Sequence, residues 1–390
     1  MRRVLIRGGR AVFEDGTRPA DLLLEEGRIA DTDYRGAPPE GCAVIDAAGQ
    51  YVLPGFVEIH AHGGGGFDFM DATEEAFHGV VSTHLRRGTT SIMPTTCACS
   101  PASQSRLFGL YRRMKAGKLG GALMGVHMEG PYIAQAMKGA QNPRFIRSPE
   151  PAEVDALMEE AGDIVRLITA APELPGMEYL ARAARRRGIV MSSGHSDAVY
   201  AEIDRAHAWG FSHITHMYSN TPTIRKVNQR VVAGVLEFAW LHDDVDVELI
   251  GDGRHVAREA LLLALKIKGP ERVNICSDAM RAAGTDVTES YLGEKLPENR
   301  VIIEDGVAKL PDRSFYAGSI ATGDVMLRWL AKECGVPLHA ASRMLSLTPA
   351  RIVGAQQTKG SLARGKDADL VLVDEKLIVK GVILGGRSVL

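Results

Sequence analysis

The sequence predicts an α/β protein built on a (β/α)₈ TIM-like barrel, with a small β-sandwich domain formed by both termini. Strand-like and helix-like segments alternate eight times in the middle of the chain, and short strands cluster at both ends. Histidine or carboxylate residues stand where several of the central strands end. Such alternation implies parallel strands joined by right-handed crossovers. Eight units favour a barrel, with a doubly wound open sheet as the second choice.

The two ends of the chain share one pattern: short apolar segments separated by turns that contain glycine, such as Glu26–Arg28. Neither end has enough strands to close a core by itself. We therefore expect residues 1–53 and 355–390 to pair in space as one β-sandwich domain. Residues 54–354 then form the barrel.

Between the two ends, the pattern changes to strand, loop and helix, repeated eight times. Between them, residues 199–209 have an amphipathic helical pattern that ends at Gly210, and residues 298–317 suggest an inserted hairpin. The predicted barrel strands are Gly55–His60, Thr90–Thr95, Leu123–Glu129, Val165–Thr169, Ile189–His195, Ser212–His216, Val245–Ile250 and Arg272–Asp278.

Metal-ligand residue types recur at the ends of five of these strands. Barrel enzymes place their chemistry at the C-terminal ends of the strands. Residues two apart in a strand face the same side, so His60 and His62 both point inward, as a chelating pair requires. One such pair is a weak signal that separate polar residues at loop mouths could also produce, but recurrence at four further strand ends favours a metal site. The candidate metal ligands are His60, His62, Glu129, His195 and His216, with Asp278 beside them.

A mixed imidazole and carboxylate set suits zinc, iron or cobalt better than magnesium or calcium. We expect one or two divalent metals per subunit, with zinc as the first choice. Such a site suits hydrolysis of an amide, whose carbonyl is a poor electrophile. Asp278 could take the proton of the attacking water and pass it to the departing nitrogen.

A series of short motifs runs in order across nearly the whole chain. It comprises Pro54–Phe56 with His60–Gly63, His127–Pro131, Lys138–Pro143, Ala171–Glu173, Gly194–Ser196, Thr215–Tyr218, Asp252–Val256, Ser277–Ala279, Ala317–Ser319, Leu347–Ala350 and Lys359–Leu362. In these motifs the chain resembles the N-acetylglucosamine-6-phosphate deacetylase family of the amidohydrolase superfamily. No single motif is decisive, but the ordered series is specific.

The resemblance implies the barrel, the sandwich, a homodimer, and hydrolysis of N-acetylglucosamine 6-phosphate to glucosamine 6-phosphate and acetate. By position, it implies that Glu129, His195 and His216 bind the core metal. His60 and His62 match a form of the first motif that permits a second metal. It assigns the acid/base role to Asp278 and places His255 near the sugar phosphate.

The chain departs from the family pattern at the phosphate end. Ser219-Asn220-Thr221 stands where the family usually has Asn-Ala-Met, and Gln141 replaces a usual histidine. A phosphate-binding arginine that relatives supply from the neighbouring subunit has no clear match, although Arg225, Lys226 and Arg230 lie nearby. The expected substrate-binding residues are Gln141, Ser219, Asn220, Arg225, Arg230, His255 and Ser319.

These departures leave alternatives to the family reaction. One is deacetylation of another N-acyl amino sugar, or hydrolysis of a related cyclic amide. Another is a barrel that binds partners without catalysis, which the presence of Asp278 disfavours because such scaffolds tend to lose acid/base residues.

Composition narrows the classes of partner and compartment. The formal net charge is −2, so no overall field favours nucleic acid or an anionic membrane, and a small amino-sugar phosphate must be held by local groups. The five cysteines are few and odd in number, which suits a reducing compartment. No apolar run approaches the roughly 20 residues of a membrane span or the length of a signal peptide, and we expect a cytoplasmic protein.

Overall fold

The computed structural model describes residues 2–390, and a parallel eight-stranded barrel is its centre. Each strand pairs with the next in chain order. The sheet closes where Ala61 bridges Ala279 and the Asp278 N–H donates to the His60 carbonyl at 3.0 Å. The predicted barrel and its eight strands are confirmed. The strands are Phe56–Ala61, Thr89–Thr96, Val126–Glu129, Val165–Ala170, Val190–Ser193, Phe211–Ile214, Asp246–Ile250 and Val273–Cys276.

Helices cover the outside of the barrel and pack on its buried strands. The helix Pro101–Ala116 begins at Ser100, whose hydroxyl accepts the Ser103 N–H, and a proline occupies its first position. The helix Tyr200–Trp209 ends at Gly210 as predicted, where φ is +128°. The other helices are Glu74–Leu85, Pro151–Ala161, Met177–Arg186, Val235–Leu241, Arg258–Lys268, Gly323–Arg328, the π-helical turn Trp329–Glu333, Leu338–Met344 and Leu347–Ile352.

The two ends of the chain build two further sheets. A four-stranded sheet contains Arg28–Asp31, Leu22–Glu25, Arg3–Arg7 and Ala43–Asp46 in that order. A six-stranded sheet joins both termini, in the order Arg387–Ser388, Val379–Leu384, Leu370–Val373, Tyr51–Pro54, Arg10–Phe13 and Gly16–Pro19. The β domain made from both termini therefore agrees with the prediction, whereas the division at residues 53/54 and 354/355 stays a proposal.

The strand Leu370–Val373 joins the sandwich to the barrel. Its alternate residues face opposite sides of the sheet. Leu370 and Leu372 enter a small core between the two terminal sheets, and Val371 and Val373 enter the large core of the barrel. This strand is buried on both faces, which accounts for its uninterrupted apolar sequence.

An antiparallel three-stranded sheet follows the eighth barrel strand. Its strands are Glu289–Tyr291, Arg300–Glu304 and Val307–Lys309. The predicted hairpin is thus confirmed, and a third strand joins its edge. The segment 310–317 leads from this sheet back to the barrel. Among residues 2–390, no helix is both long and apolar enough to cross a membrane.

Candidate active site

Three candidate site residues leave their barrel strands in a left-handed backbone conformation. His195, His216 and Asp278 have φ angles of 49°, 29° and 47°. Each follows the fifth, sixth or eighth strand by two residues. Non-glycine residues seldom adopt this region, and such strain is concentrated at functional sites. The strained turns bring these three side chains together with Glu129 at one end of the barrel.

The Glu129 carboxylate lies at the centre of the cluster and is 2% exposed. Its Oε1 atom is 3.1 Å from His195 Nε2 and 3.0 Å from His216 Nε2, and the two imidazole nitrogens are 3.2 Å apart. Gln141 holds the other oxygen, because its Nε2 donates to Glu129 Oε2 at 2.6 Å. Three potential ligand atoms therefore converge on one point.

Backbone carbonyls orient both of these histidines. His195 Nδ1 donates to the Met137 carbonyl at 2.8 Å, and His216 Nδ1 donates to the Ser219 carbonyl at 3.1 Å. A proton on Nδ1 leaves the lone pair on Nε2, which faces Glu129. Fixing the tautomer through the second nitrogen is typical of metal-binding histidines.

A second group lies beside the first and shares Glu129. His62 Nε2 is 3.3 Å from Glu129 Oε2 and 3.3 Å from Asp278 Oδ1. His60 Nε2 is 3.5 Å from Glu129 Oε1 and 3.5 Å from Asp278 Oδ1. The ligand atoms of His60, His62 and Glu129 all lie within 4.8 Å of one another, as do those of Glu129, His195 and His216. The geometry offers two adjacent ligand sets with a common carboxylate.

Glu248 fixes the His60 ring and was not among the residues predicted from sequence. Its Oε1 accepts from His60 Nδ1 at 2.8 Å and from the His216 N–H at 3.2 Å. Its Oε2 accepts from Asn274 Nδ2 at 3.0 Å. The sequence feature that could have identified Glu248 is a glutamate in the middle of a mostly apolar barrel strand, at a position that faces the barrel interior.

Burial and mutual attraction shift the pKa values of the cluster. Burial alone would lower the pKa of His60, but Glu248, Asp278 and Glu129 raise it well above its ordinary value. Burial alone would raise the pKa of Glu129, but His60, His195 and His216 hold it well below its usual range. The pKa of Asp278 is likewise lowered by His60 and His62 against the effect of burial. The carboxylates are therefore ionised at neutral pH and attract positive charge.

The residues present fit a divalent metal. His60 Nε2 is fully buried and has no hydrogen-bond partner among residues 2–390. An orphaned buried nitrogen is costly unless something binds it. Two imidazole lone pairs 3.2 Å apart repel each other unless a cation or proton lies between them. Nitrogen and carboxylate donors in this number match zinc and other first-row metals.

A cavity of about 540 Å³ opens onto the cluster. This volume is in the range of small-molecule sites. Of the predicted metal and acid/base residues, all but His60 line it, since His60 lies deeper. Four predicted substrate residues also line the cavity: Gln141, Ser219, Asn220 and His255.

Three predicted substrate residues do not line the cavity. The Arg225 guanidinium donates to the carboxylate of Asp197 and, at 2.6 Å, to the backbone carbonyl of Asp197. Arg230 is exposed on a short hairpin. Ser319 is fully buried and donates to the Ser277 carbonyl at 2.5 Å. The structure of the single chain does not bring these three to the cavity.

Four consecutive residues that sequence reasoning missed line the same cavity: Arg313, Ser314, Phe315 and Tyr316. The Tyr316 ring packs edge-on against His255, with 4.8 Å between ring centroids. His255 is in turn held by Asp252, whose Oδ2 lies 2.7 Å from its Nδ1. The sequence of this segment does not predict that it lines the cavity, because its position depends on how the inserted three-stranded sheet packs against the barrel.

Comparison with known proteins gives consistent results. The model of the amidohydrolase family matches residues 51–389. An N-acetylglucosamine-6-phosphate deacetylase of Lysinibacillus sphaericus is 31% identical over 94% of this chain and 92% of its own length. An N-acetylgalactosamine-6-phosphate deacetylase of Escherichia coli O157:H7 is 29% identical over 95% of this chain and 98% of its own length.

A solved structure supports the same relationship. The mutant N-acetyl-D-glucosamine-6-phosphate deacetylase of Mycobacterium smegmatis, in complex with N-acetyl-D-glucosamine-6-phosphate, superposes with a TM-score of 0.90. It is 30% identical, and the match covers 100% of both chains. The similarity therefore extends over the barrel and the terminal sheets alike.

Proposed function

The chain belongs to the amidohydrolase family, and from this premise we propose that it hydrolyses the acetamide of N-acetylglucosamine 6-phosphate. The products are glucosamine 6-phosphate and acetate. The observation that carries the proposal is the convergence of Glu129, His195 and His216 beside Asp278, in a cavity of about 540 Å³. Full-length similarity to deacetylases of this substrate supports it.

Glu129, His195 and His216 would hold a divalent metal, and His60 and His62 would hold a second one together with Glu129. A metal in this site supplies Lewis acidity toward the amide carbonyl and lowers the pKa of a bound water. Zinc is the first candidate, with iron or cobalt as alternatives. Elemental analysis of protein purified without added metal would identify the metal and its stoichiometry.

Asp278 is the proposed general base and acid. Its pKa is lowered, so the carboxylate is ionised and can accept a proton from the attacking water. The same carboxylate, once protonated, donates to the amine nitrogen as the C–N bond breaks. Its strained backbone directs the side chain into the cavity, where Oδ1 lies 3.3 Å from His62 Nε2.

Acetate release tests the proposed reaction. Metal-loaded protein should release acetate from N-acetylglucosamine 6-phosphate with a much higher kcat/KM than from the unphosphorylated sugar. No release from the phosphate ester would contradict the proposal. A second candidate is N-acetylgalactosamine 6-phosphate, favoured by the similarity to the E. coli O157:H7 enzyme. A kcat/KM at least tenfold higher for that epimer would replace the first candidate with the second.

We further propose a homodimer in the cytoplasm. The hairpin Arg225–Val227 to Arg230–Val232 supports the dimer, because Val227 and Val231 on it, and Ile224 just before it, are exposed. Exposed apolar side chains in one segment are typical of an interface. Sedimentation equilibrium would reveal a monomer if this proposal is wrong. The five free cysteines support a reducing compartment.

A further inference from the structure

The substrate cavity is lined by two acidic residues, Glu129 and Asp278, and must nevertheless admit a phosphate monoester. At pH 7 such a group carries a charge of about −1.5 to −2. Among the described residues that line the cavity, Arg313 is the only arginine, and no lysine lines it. We propose that Arg313 is the residue that binds the substrate phosphate and sets the preference for the phosphorylated sugar. This inference rests on the proposed function.

The position of Arg313 agrees with this role. It lies three residues before Tyr316, whose ring packs on His255, so it reaches the cavity from the wall that carries His255. Arg313 and Tyr316 belong to the segment after the inserted sheet, whereas the metal ligands follow the ends of barrel strands. A sugar with its amide at the metal ligands and its phosphate at Arg313 would span the cavity.

Glu304 positions the guanidinium. Arg313 Nε donates to Glu304 Oε1 at 2.7 Å, and Nη2 donates to Glu304 Oε2 at 3.3 Å. The pair raises the pKa of Arg313 and lowers that of Glu304, so both stay charged. These contacts leave Nη1 for a ligand. A guanidinium held on one edge by a carboxylate can still donate from its other edge to a phosphate oxygen.

Within one chain, the other arginines near the site are less suited to this role. Arg225 is committed to Asp197, and Arg230 does not line the cavity. Ser219, Asn220 and His255 line the cavity and offer hydrogen bonds, but Ser219 and Asn220 carry no charge. The backbone of Arg313 is also left-handed, with φ of +61°, a conformation that is costly for a non-glycine residue.

Steady-state kinetics on variants of the metal-loaded enzyme tests the proposal. Arg313→Ala should lower kcat/KM for N-acetylglucosamine 6-phosphate by about 10- to 100-fold, the range of one charge-assisted hydrogen bond. Turnover of the unphosphorylated sugar should change less than about twofold. Arg313→Lys should recover part of the loss. Arg300→Ala is the matched control, since Arg300 lies on the inserted sheet that precedes Arg313, is paired with Glu289 and does not line the cavity.

Calorimetric binding of glucose 6-phosphate, compared with glucose, provides a readout that does not require turnover. Arg313→Ala should weaken the binding of glucose 6-phosphate at least tenfold. The proposal is overturned if this variant matches the wild type with both phosphate esters, or if it loses activity equally on both acetylated sugars. It is also overturned if Arg230→Ala alone removes the phosphate preference. A wild type that binds glucose 6-phosphate through Arg313 but releases no acetate would instead refute the proposed function.

Discussion

Replacing Glu248 by glutamine and by alanine separates the charge of this buried carboxylate from its hydrogen bonds. In the wild type, Oε1 accepts from His60 Nδ1 at 2.8 Å and Oε2 accepts from Asn274 Nδ2 at 3.0 Å. A glutamine amide group must face one of these donors. Asn274 Oδ1 is buried and has no hydrogen-bond partner within residues 2–390, so a flip of the Asn274 amide lets this oxygen accept from the new NH₂ group. The bond to His60 then survives in neutral form.

This geometry ranks the two variants. A charge-assisted hydrogen bond and a neutral one differ by about 1–1.5 kcal/mol, so Glu248→Gln should weaken metal binding roughly fivefold to tenfold. Glu248→Ala removes the acceptor that holds the proton on His60 Nδ1, and the ring is free to turn or change tautomer. Loss of such a supporting group costs about 10- to 100-fold in metal affinity, and we expect the upper end.

Competition with a fluorescent zinc chelator measures the zinc affinity of each Glu248 variant. The dependence of activity on metal concentration provides a second measure. Asp246→Asn is the matched control, because Asp246 lies on the same strand and face but binds Arg272 and Arg351. It should lower stability and leave metal affinity within about twofold. If Glu248→Ala binds zinc as tightly as the wild type, or if the glutamine variant is the weaker one, the reasoning about His60 is wrong.

Other predictions concern chemistry, packing and pH. Asp278→Asn should keep its metal and lose at least about 10²-fold in kcat, whereas His195→Ala should lose metal on dialysis; the reverse pattern would exchange their roles. Gly55→Ala places a methyl 2.0 Å from Thr90 Oγ1 and should cost about 1–3 kcal/mol in urea unfolding, whereas Gly109→Ala, with open space, should cost nothing. Burial raises the pKa of Glu153, but hydrogen bonds from Arg147 and Tyr132 outweigh this effect and lower it. Glu153→Gln should therefore lower Tm at pH 7.

The pH dependence of the last variant has a defined sign. A carboxylate whose folded-state pKa is depressed stabilises the protein above its unfolded pKa, and that contribution is lost as pH falls through the folded value. The Tm difference between wild type and Glu153→Gln should therefore shrink below the ordinary pKa of 4.5. A constant difference from pH 7 to pH 3 would contradict the proposed ion pair with Arg147.

The barrel was predictable because each strand carries its own local signal. The strand Val273–Cys276 is short, mostly apolar and buried along its whole length, with the polar residues Arg272 and Ser277 at its ends. Parallel barrel strands are covered on both faces, which favours such runs. The candidate ligands followed from one geometric rule, that parallel strand ends meet at one rim. His60 and His62 needed only the two-residue period of a strand.

The remaining parts of the site depend on contacts that have no local signature. The left-handed turns at His195, His216 and Asp278 are imposed by packing and are unfavourable for each residue alone. Arg313 reaches the cavity only because a three-stranded sheet folds between the eighth strand and the last helices. Long-range placement of this kind cannot be derived from periodicity.

The six-stranded sheet has a consequence for the order in which the chain folds. Leu53 pairs with Val371, so the edge of Tyr51–Pro54 that Leu370–Val373 covers stays unpaired until the C-terminal segment has been synthesised. Contacts between residues so far apart in sequence form slowly, and an uncovered apolar strand edge invites association with other chains. Until synthesis is complete, the N-terminal strands therefore present an edge to which a strand of another chain can add.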